Sequence, residues 1–246
     1  MIWFIIATLV AFFIKGLCGF ANTLIFNGIL SYTANNINIS PLEVVLGYPS
    51  NIILVWKERK SLNWKIWLPL TALVVAGSIP GIFLLKHTDA GLLKVIFGIA
   101  VIVIGVEMLF REMKSNRESS NRKPGDSKLV LILIGIISGL LCGLYGVGAL
   151  LAAYVSRVAE NSHEFKANIC VVFVVENTIR IILYVATGIL TLSVLKQVVI
   201  LIPFMLAAVF LGMKSSSVLN EKIIKKIVIV LLILSGIVLI INNIPR

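Results

Sequence analysis

Ionisable side chains inside long apolar stretches are the residues of this sequence best suited to do chemistry. Glu176 and Arg180 stand four residues apart in the stretch 171–184, with the amide of Asn177 beside them. Residues four apart share one face of a helix. An ionisable group at the bilayer centre costs at least ~2.5–3.5 kcal/mol on insertion scales and is usually functional. Two interpretations are open: a neutral structural clamp, or a site where Arg180 takes an anion and Glu176 carries a coupling proton.

Two apolar stretches are interrupted by glycine, at 15–19 and at 143–148. A helix that begins inside a membrane presents unpaired N–H groups and about half a positive charge at its N-terminus, which can bind an anion without any side chain. On this interpretation the glycines form two facing anion cradles, and Asn22 adds an amide donor. The alternative is close helix packing, because small residues line helix interfaces in membranes. We expect packing for Gly135 and Gly139.

The composition requires a membrane environment. The 246 residues are 59% apolar and 13% charged, with a mean hydropathy of +1.05, whereas soluble domains are ~45–50% apolar and ~25% charged. A helix needs ~20 apolar residues to cross the hydrocarbon, and backbone in lipid must satisfy its own hydrogen bonds, which favours helices here. The predicted apolar segments are 2–34, 41–56, 66–85, 91–110, 129–155, 167–187, 193–213 and 223–242.

Residues at matching positions indicate an internal repeat. Cys18 and Cys142 lie 124 residues apart, each in a glycine-broken segment that opens its half of the chain. Asn51 and Asn177 lie 126 apart, each in the next helix, and we expect them to face one cavity from opposite sides. A spacing of 131 relates Gly81 to Gly212, Leu92 to Ile223, Lys94 to Lys225 and Gly105 to Gly236.

Basic residues indicate how the halves are oriented, because Lys and Arg concentrate in cytoplasmic loops. The loops 57–65, 156–166 and 214–226 and the linker 111–128 hold sixteen of the 22 basic residues. These three loops and the linker can all lie on one side of the membrane only if 129–155 enters the membrane and returns as a hairpin. The second half then has the opposite membrane orientation to the first. The net charge of +11 thus records topology rather than nucleic-acid binding. Whether 2–34 is also a hairpin or one bent span stays open.

The predicted fold class is an all-α polytopic membrane protein with two inverted-topology repeats. Each repeat is a Gly-broken helical hairpin followed by three transmembrane helices, an architecture typical of transporters that bind substrate near the midplane. The predicted units are a first transmembrane repeat at 1–110, a cytoplasmic linker at 111–128 and a second transmembrane repeat at 129–246. The expected location is the cell membrane.

The glycine-rich openings carry a family resemblance. The first half opens with Ile14-Lys-Gly-Leu-Cys-Gly-Phe-Ala-Asn22 and the second with Ile137-Ser-Gly-Leu-Leu-Cys-Gly-Leu-Tyr-Gly-Val-Gly148, and a small-residue stretch covers 77–85. This pattern resembles the sulfite exporter TauE/SafE family of probable membrane transporters. Family openings usually run Gly-x-Gly-Gly-Gly followed by proline, and here the second half keeps only Gly146-x-Gly148. The resemblance implies transport of small sulfur-containing or carboxylate anions, such as sulfite and organosulfonates.

Other reactive side chains have two interpretations each. The thiols of Cys18 and Cys142, at equivalent positions, would suit a sulfur oxyanion, although a free cysteine is also simply a small apolar residue, which is the favoured interpretation. Lys15 is either a second buried cation or a side chain that snorkels to the interface. Three charges near segment ends are predicted to be interfacial: Glu43, Lys94 and Glu107.

The sequence therefore predicts a secondary transporter of a small anion that works by alternating access and is coupled to protons, and not an enzyme. The alternatives are a passive anion channel and a non-transporting scaffold subunit. Expected partners are the anionic substrate, the lipid bilayer and, as an option, a second copy in a homodimer; no nucleic acid, cofactor or metal is expected. Glu176 is the predicted proton-coupling residue. The predicted substrate-binding residues are Gly16, Cys18, Gly19, Asn22, Asn51, Cys142, Gly143, Gly146, Asn177 and Arg180.

Overall fold

A computed structural model describes residues 1–30, 36–84, 128–145 and 148–243, with a few residues between 99 and 110. The regular structure within these ranges is helical. A short 3-10 turn at Arg59–Ser61 follows α3. Lys94, Glu107, Gly146 and nearly all of the linker 111–128 lie outside the described residues. The helices are α1 (Ile2–Cys18), α2 (Asn22–Leu30), α3 (Asn36–Glu58), α4 (Trp64–Leu84), α5 (Lys128–Tyr145), α6 (Ala149–Val158), α7 (Ser162–Ala186), α8 (Leu192–Val218) and α9 (Glu221–Asn243).

Three stretches of the described residues are helical, long and apolar enough to cross a membrane: Ile39–Ser61, Ser162–Ala186 and Leu192–Val218. Their outward faces carry large apolar side chains, among them Val199 and Leu211 of α8, which are more than half exposed. Exposed apolar surface on this scale is unfavourable in water and suits lipid. The prediction of an all-helical membrane protein is confirmed for this part of the chain.

The first glycine-rich segment reverses direction. The break between α1 and α2 contains two residues in the left-handed region, Gly19 at φ 88° and Ala21 at φ 72°. Phe12 of α1 and Phe26 of α2 pack edge to face with ring centroids 6.5 Å apart, whereas fourteen residues of continuous helix would separate them by about 21 Å. Helix α2 therefore folds back along α1, and residues 2–30 form a hairpin rather than one bent span.

The second glycine-rich segment is also divided between two helices. Helix α5 ends at Tyr145, and α6 begins at Ala149 with Gly148 as its N-cap. A Cβ at position 148 would overlap the ring of Phe173 in α7. Glycine at this position therefore leaves room for the ring of Phe173.

Glycines also allow close contact where α1 packs on α8 and where α4 packs on α5. A Cβ on Gly212 of α8 would overlap the Phe13 carbonyl oxygen and lie 3.0 Å from the Gly16 Cα. At the other crossing, a Cβ on Gly77 of α4 would overlap the Ile136 carbonyl oxygen and lie 3.1 Å from the Gly139 Cα. Small residues let helix backbones approach in this way, so Gly139 has the packing role that we expected.

Helices α3 and α7 pack against each other in antiparallel directions through the middle of the bundle. The contacts along them occur in reverse order. They are Ser40 Oγ to Tyr184 hydroxyl at 3.1 Å, Thr178 Oγ1 to Tyr48 hydroxyl at 3.3 Å and His163 Nδ1 to Glu58 Oε2 at 2.7 Å. The start of α3 therefore meets the end of α7, and the end of α3 meets its start.

One end of the bundle gathers the basic loops 57–65, 156–166 and 214–226, which we name the basic end. Hydrogen bonds join these loops, or residues one or two positions beyond them, to each other. They run from Asn63 Nδ2 to Glu164 Oε1 at 2.9 Å, from the Asn63 amide to Asn168 Oδ1 at 3.0 Å, from Lys57 Nζ to the Met213 carbonyl at 3.3 Å, and from Lys166 to Ser216. Three loops that are distant in sequence therefore lie on the same side of the protein.

The α1–α8 crossing gives a first prediction. We expect Gly212→Ala to lower the free energy of unfolding by about 1–3 kcal/mol, because the new methyl group meets rigid backbone. Thermal unfolding in detergent measures this. The matched control is Leu211→Ala on the exposed face of the same helix, which should change the melting temperature much less. Equal melting of Gly212→Ala and the wild type would contradict the close crossing.

Candidate functional site

Polar side chains are buried together where the break between α1 and α2 meets the middle of α3 and α7. We call this group the buried polar cluster. All of its members except Thr23 are buried. They are Lys15 of α1, Asn22 and Thr23 of α2, Glu43 and Asn51 of α3, and Glu176, Asn177 and Arg180 of α7.

Asn22 bridges a buried cation and a buried carboxylate. Lys15 Nζ donates to Asn22 Oδ1 at 2.9 Å, and Asn22 Nδ2 in turn donates to Glu43 Oε1. Thr23 Oγ1 donates to the same carboxylate oxygen at 2.8 Å. These bonds connect both arms of the hairpin to α3. Lys15 is only 1% exposed, so it is a second buried cation and does not snorkel to the interface.

The prediction that Glu43 is interfacial is wrong. Its side chain is 3% exposed and accepts hydrogen bonds from both Asn22 and Thr23. The reason is that α3 begins at Asn36, so Glu43 lies about two turns inside the helix rather than at its end. A signal was present in the sequence, because Glu43, Gly47 and Asn51 follow at intervals of four and share one helical face.

Arg180 is held by hydroxyl groups more closely than by a carboxylate. Its Nη2 donates to the Tyr184 hydroxyl and to Ser40 Oγ, each at 2.9 Å. Its Nε lies 3.6 Å from Glu176 Oε1, which is beyond a hydrogen bond, and neither atom has a hydrogen-bond partner among the described residues. Arg180 and Glu176, which we predicted to be neighbours, thus form a loose ion pair on α7. The Nε–H of Arg180 can still donate a hydrogen bond to another group.

Asn51 is buried with an unsatisfied amide. It is fully buried, and neither its Nδ2 nor its Oδ1 has a hydrogen-bond partner in the ranges that the structure describes. Such groups are rare, because each costs the desolvation of a polar atom without a bond in return. One helical turn away, Glu43 Oε1 and the amide nitrogens of Asn22 and Asn177 lie 3.3, 3.5 and 3.6 Å from where a Cβ on Gly47 would stand. Amide donors from three helices therefore converge on this part of α3.

Gly16 and Gly143 lie within helices and not at a free helix N-terminus. Gly16 packs on α8, and a Cβ on Gly143 of α5 would overlap the Ser78 carbonyl oxygen of α4. The packing interpretation accounts for both, and a contact with an anion stays a prediction. Gly19 has a different position, because it forms the left-handed end of α1 against the side chain of Lys166.

The three cysteines have different surroundings and form no disulfide. Cys142 lies near Glu176 and Arg180 of the buried polar cluster, whereas Cys18 lies near Lys166. The two thiols therefore do not share one set of neighbours. Cys170 Sγ donates to the Gly19 carbonyl at 3.3 Å, which satisfies backbone exposed by the helix break, a role that the sequence did not indicate.

Apolar helices suited to a membrane, a reversed helix hairpin and charges buried between the helices are features of polytopic membrane transporters. The family model described as Sulfite exporter TauE/SafE matches residues 4–239. The chain belongs to this family, whose members are membrane transporters of sulfite-like anions, and the resemblance predicted from the sequence is confirmed. No curated protein and no solved structure matches the chain.

The bridge through Asn22 gives a second prediction. We expect Asn22→Ala to lower the free energy of unfolding by at least ~2 kcal/mol, because it removes a partner from a buried ammonium and from a buried carboxylate at once. Thr23→Val is the control, since it removes only one of the two donors to Glu43 and should cost less. Thermal unfolding in detergent compares the three proteins. A melting temperature for Asn22→Ala at or above that of Thr23→Val would contradict the bridge.

Proposed function

We propose that this protein is a secondary transporter of a small sulfur-containing or carboxylate anion, which it moves by alternating access of two inverted halves with proton coupling. The buried polar cluster is the proposed substrate site. Its donors suit an oxyanion: the guanidinium of Arg180, the ammonium of Lys15 and the amides of Asn22, Asn51 and Asn177. The cluster is formed by both halves of the chain, which alternating access requires.

The unsatisfied amide of Asn51 is the observation that carries this proposal. A buried amide without a hydrogen bond lowers stability, so its presence next to Gly47 is best explained by a ligand that binds there. The loose pair of Arg180 and Glu176 supports the same conclusion, because a structural clamp would bring Nε and Oε1 into hydrogen-bond distance, and they are 3.6 Å apart.

The helix contacts support the inverted repeat. The sequence repeat relates α1 to α5, α3 to α7 and α4 to α8. Under this relation the crossing of α1 with α8 corresponds to the crossing of α5 with α4, and both crossings are present. Helix α3 packs on its own counterpart, α7. The offset of 124 relates Gly16 to Leu140, and the offset of 131 relates Gly212 to Gly81. The contact of Gly16 with Gly212 therefore predicts a contact of Leu140 with Gly81, and a Cβ on Gly81 does meet the Leu140 backbone.

Polar contacts at the two ends of α3 and α7 support alternating access. At one end Ser40 of the first half bonds to Tyr184 and Arg180 of the second. At the basic end Glu58 of the first half bonds to His163 of the second. Rocking of one half against the other would break the contacts at one end while keeping those at the other.

Glu176 has the position that a coupling carboxylate requires. While Glu176 is ionised, it partly neutralises Arg180. A proton on Glu176 would leave the guanidinium charge free to attract an anion, because neutralising one member of a pair unmasks the other. Binding of the anion and of the proton would then favour each other. Basic loops concentrate on the cytoplasmic side of a cell membrane, so the basic end would face the cytoplasm.

Uptake by the purified protein in proteoliposomes tests the site. We expect Arg180→Gln to lower the rate of uptake of sulfite or thiosulfate by at least ~30-fold, because loss of one buried charged contact costs about 2–5 kcal/mol. Arg59→Gln is the control, since Arg59 is exposed after α3 and its loss should leave uptake near the wild-type rate. Equal uptake by the two variants would remove Arg180 from the mechanism.

A further inference from the structure

The two halves contribute matching charges to the buried polar cluster. Lys15 and Glu43 come from the first half, and Arg180 and Glu176 from the second. Each of the four is at most 3% exposed. With all four ionised, their formal charges sum to zero, which limits the cost of keeping charges in a low-dielectric interior.

Glu43 is a carboxylate for which the predictions from sequence provided no function. Lys15 of α1 reaches it through Asn22, and Thr23 of α2 donates to it directly. On the side of α7, Glu43 Oε1 and the amide nitrogen of Asn177 lie 3.3 and 3.6 Å from where a Cβ on Gly47 would stand, and Arg180 and Glu176 of the same helix are close enough for their charges to act on Glu43. Two cations and a second carboxylate therefore face Glu43 from helices of both halves.

This arrangement restricts how an anion can be carried. An anion that enters a neutral buried cluster leaves it with a net negative charge, which is costly in a membrane interior. Protons on the carboxylates remove that charge, and a protonated carboxyl group also gains an O–H donor for an anion oxygen. One carboxylate can balance a monovalent anion. Two carboxylates, one in each half, balance a divalent anion.

We infer that Glu43 is a second proton-coupling residue beside Glu176, and that the substrate is a divalent oxyanion transported together with two protons. This inference rests on the proposed function, because it places both protons at the proposed substrate site. Each proton binds a carboxylate oxygen from the solution on one side and leaves to the solution on the other, so no other reactant is needed. The complete transport cycle is then electrically neutral.

Counting protons tests the inference. Thiosulfate, which is divalent at neutral pH, is added to the purified protein in weakly buffered detergent, and proton uptake on binding is measured with a pH dye. We expect two protons per thiosulfate for the wild type and one for Glu43→Gln or Glu176→Gln. Glu160→Gln, an exposed carboxylate near the basic end, is the control and should keep two.

The same proteins in liposomes give a second measurement. Wild-type thiosulfate flux should not respond to a membrane potential set with potassium and valinomycin, whereas flux through Glu43→Gln should respond, because one negative charge then crosses uncompensated. A wild-type count of one proton, an unchanged count in Glu43→Gln, or transport of monovalent methanesulfonate in preference to thiosulfate would overturn the inference. If Glu43→Gln does not fold, the wild-type count still decides, since two supports the inference and one overturns it.

Failure of the proposed function would look different. In that case the wild-type protein would neither bind nor transport any anion of the panel, and no count could be made. Binding and transport that continue with a proton count independent of Glu43 would leave the proposed function intact and remove only the second proton site.

Discussion

Charges buried among apolar helices are the constraint on which the rest of this structure depends. Lys15, Glu43, Glu176 and Arg180 are almost fully buried, and each needs compensating charges and hydrogen bonds, because an isolated ion in a low-dielectric interior is very costly. The compensation comes from different helices. Asn22 connects Lys15 to Glu43 across a helix break. Tyr184 and Ser40 accept hydrogen bonds from the guanidinium of Arg180. No single helix could supply these partners.

The breaks and the glycines follow from this requirement. Asn22 is the first residue of α2 and reaches both Lys15 and Glu43 only because the chain reverses at Gly19 and Ala21, which both adopt left-handed backbone. Close crossings of α1 on α8 and of α4 on α5 keep the helices near enough for short side chains to meet. Glycines at these crossings therefore bring helices together, and the amides and charges supply the chemistry of the site.

The sequence predicted the site residues that lie close to each other in the chain. Glu176, Asn177 and Arg180 could be predicted because they lie within five residues of each other in an apolar helix. Lys15 and Glu43 were ambiguous or wrongly interpreted, since their burial depends on a hairpin and on a helix start that hydropathy does not locate. The contact of Arg180 with Ser40 joins residues 140 positions apart, and no local pattern indicates it. The helical membrane class followed from the composition and from the length of the apolar segments.

A single substitution tests the central claim, that the buried polar cluster exists to bind an anion. Asn51→Leu replaces an unsatisfied amide by an apolar group of similar size, so without ligand it should melt at a higher temperature than the wild type. With thiosulfate or sulfite the wild type should gain stability, because a ligand that binds only the folded protein stabilises it, and Asn51→Leu should not. A variant that melts lower without ligand and keeps the full shift with ligand would contradict the account.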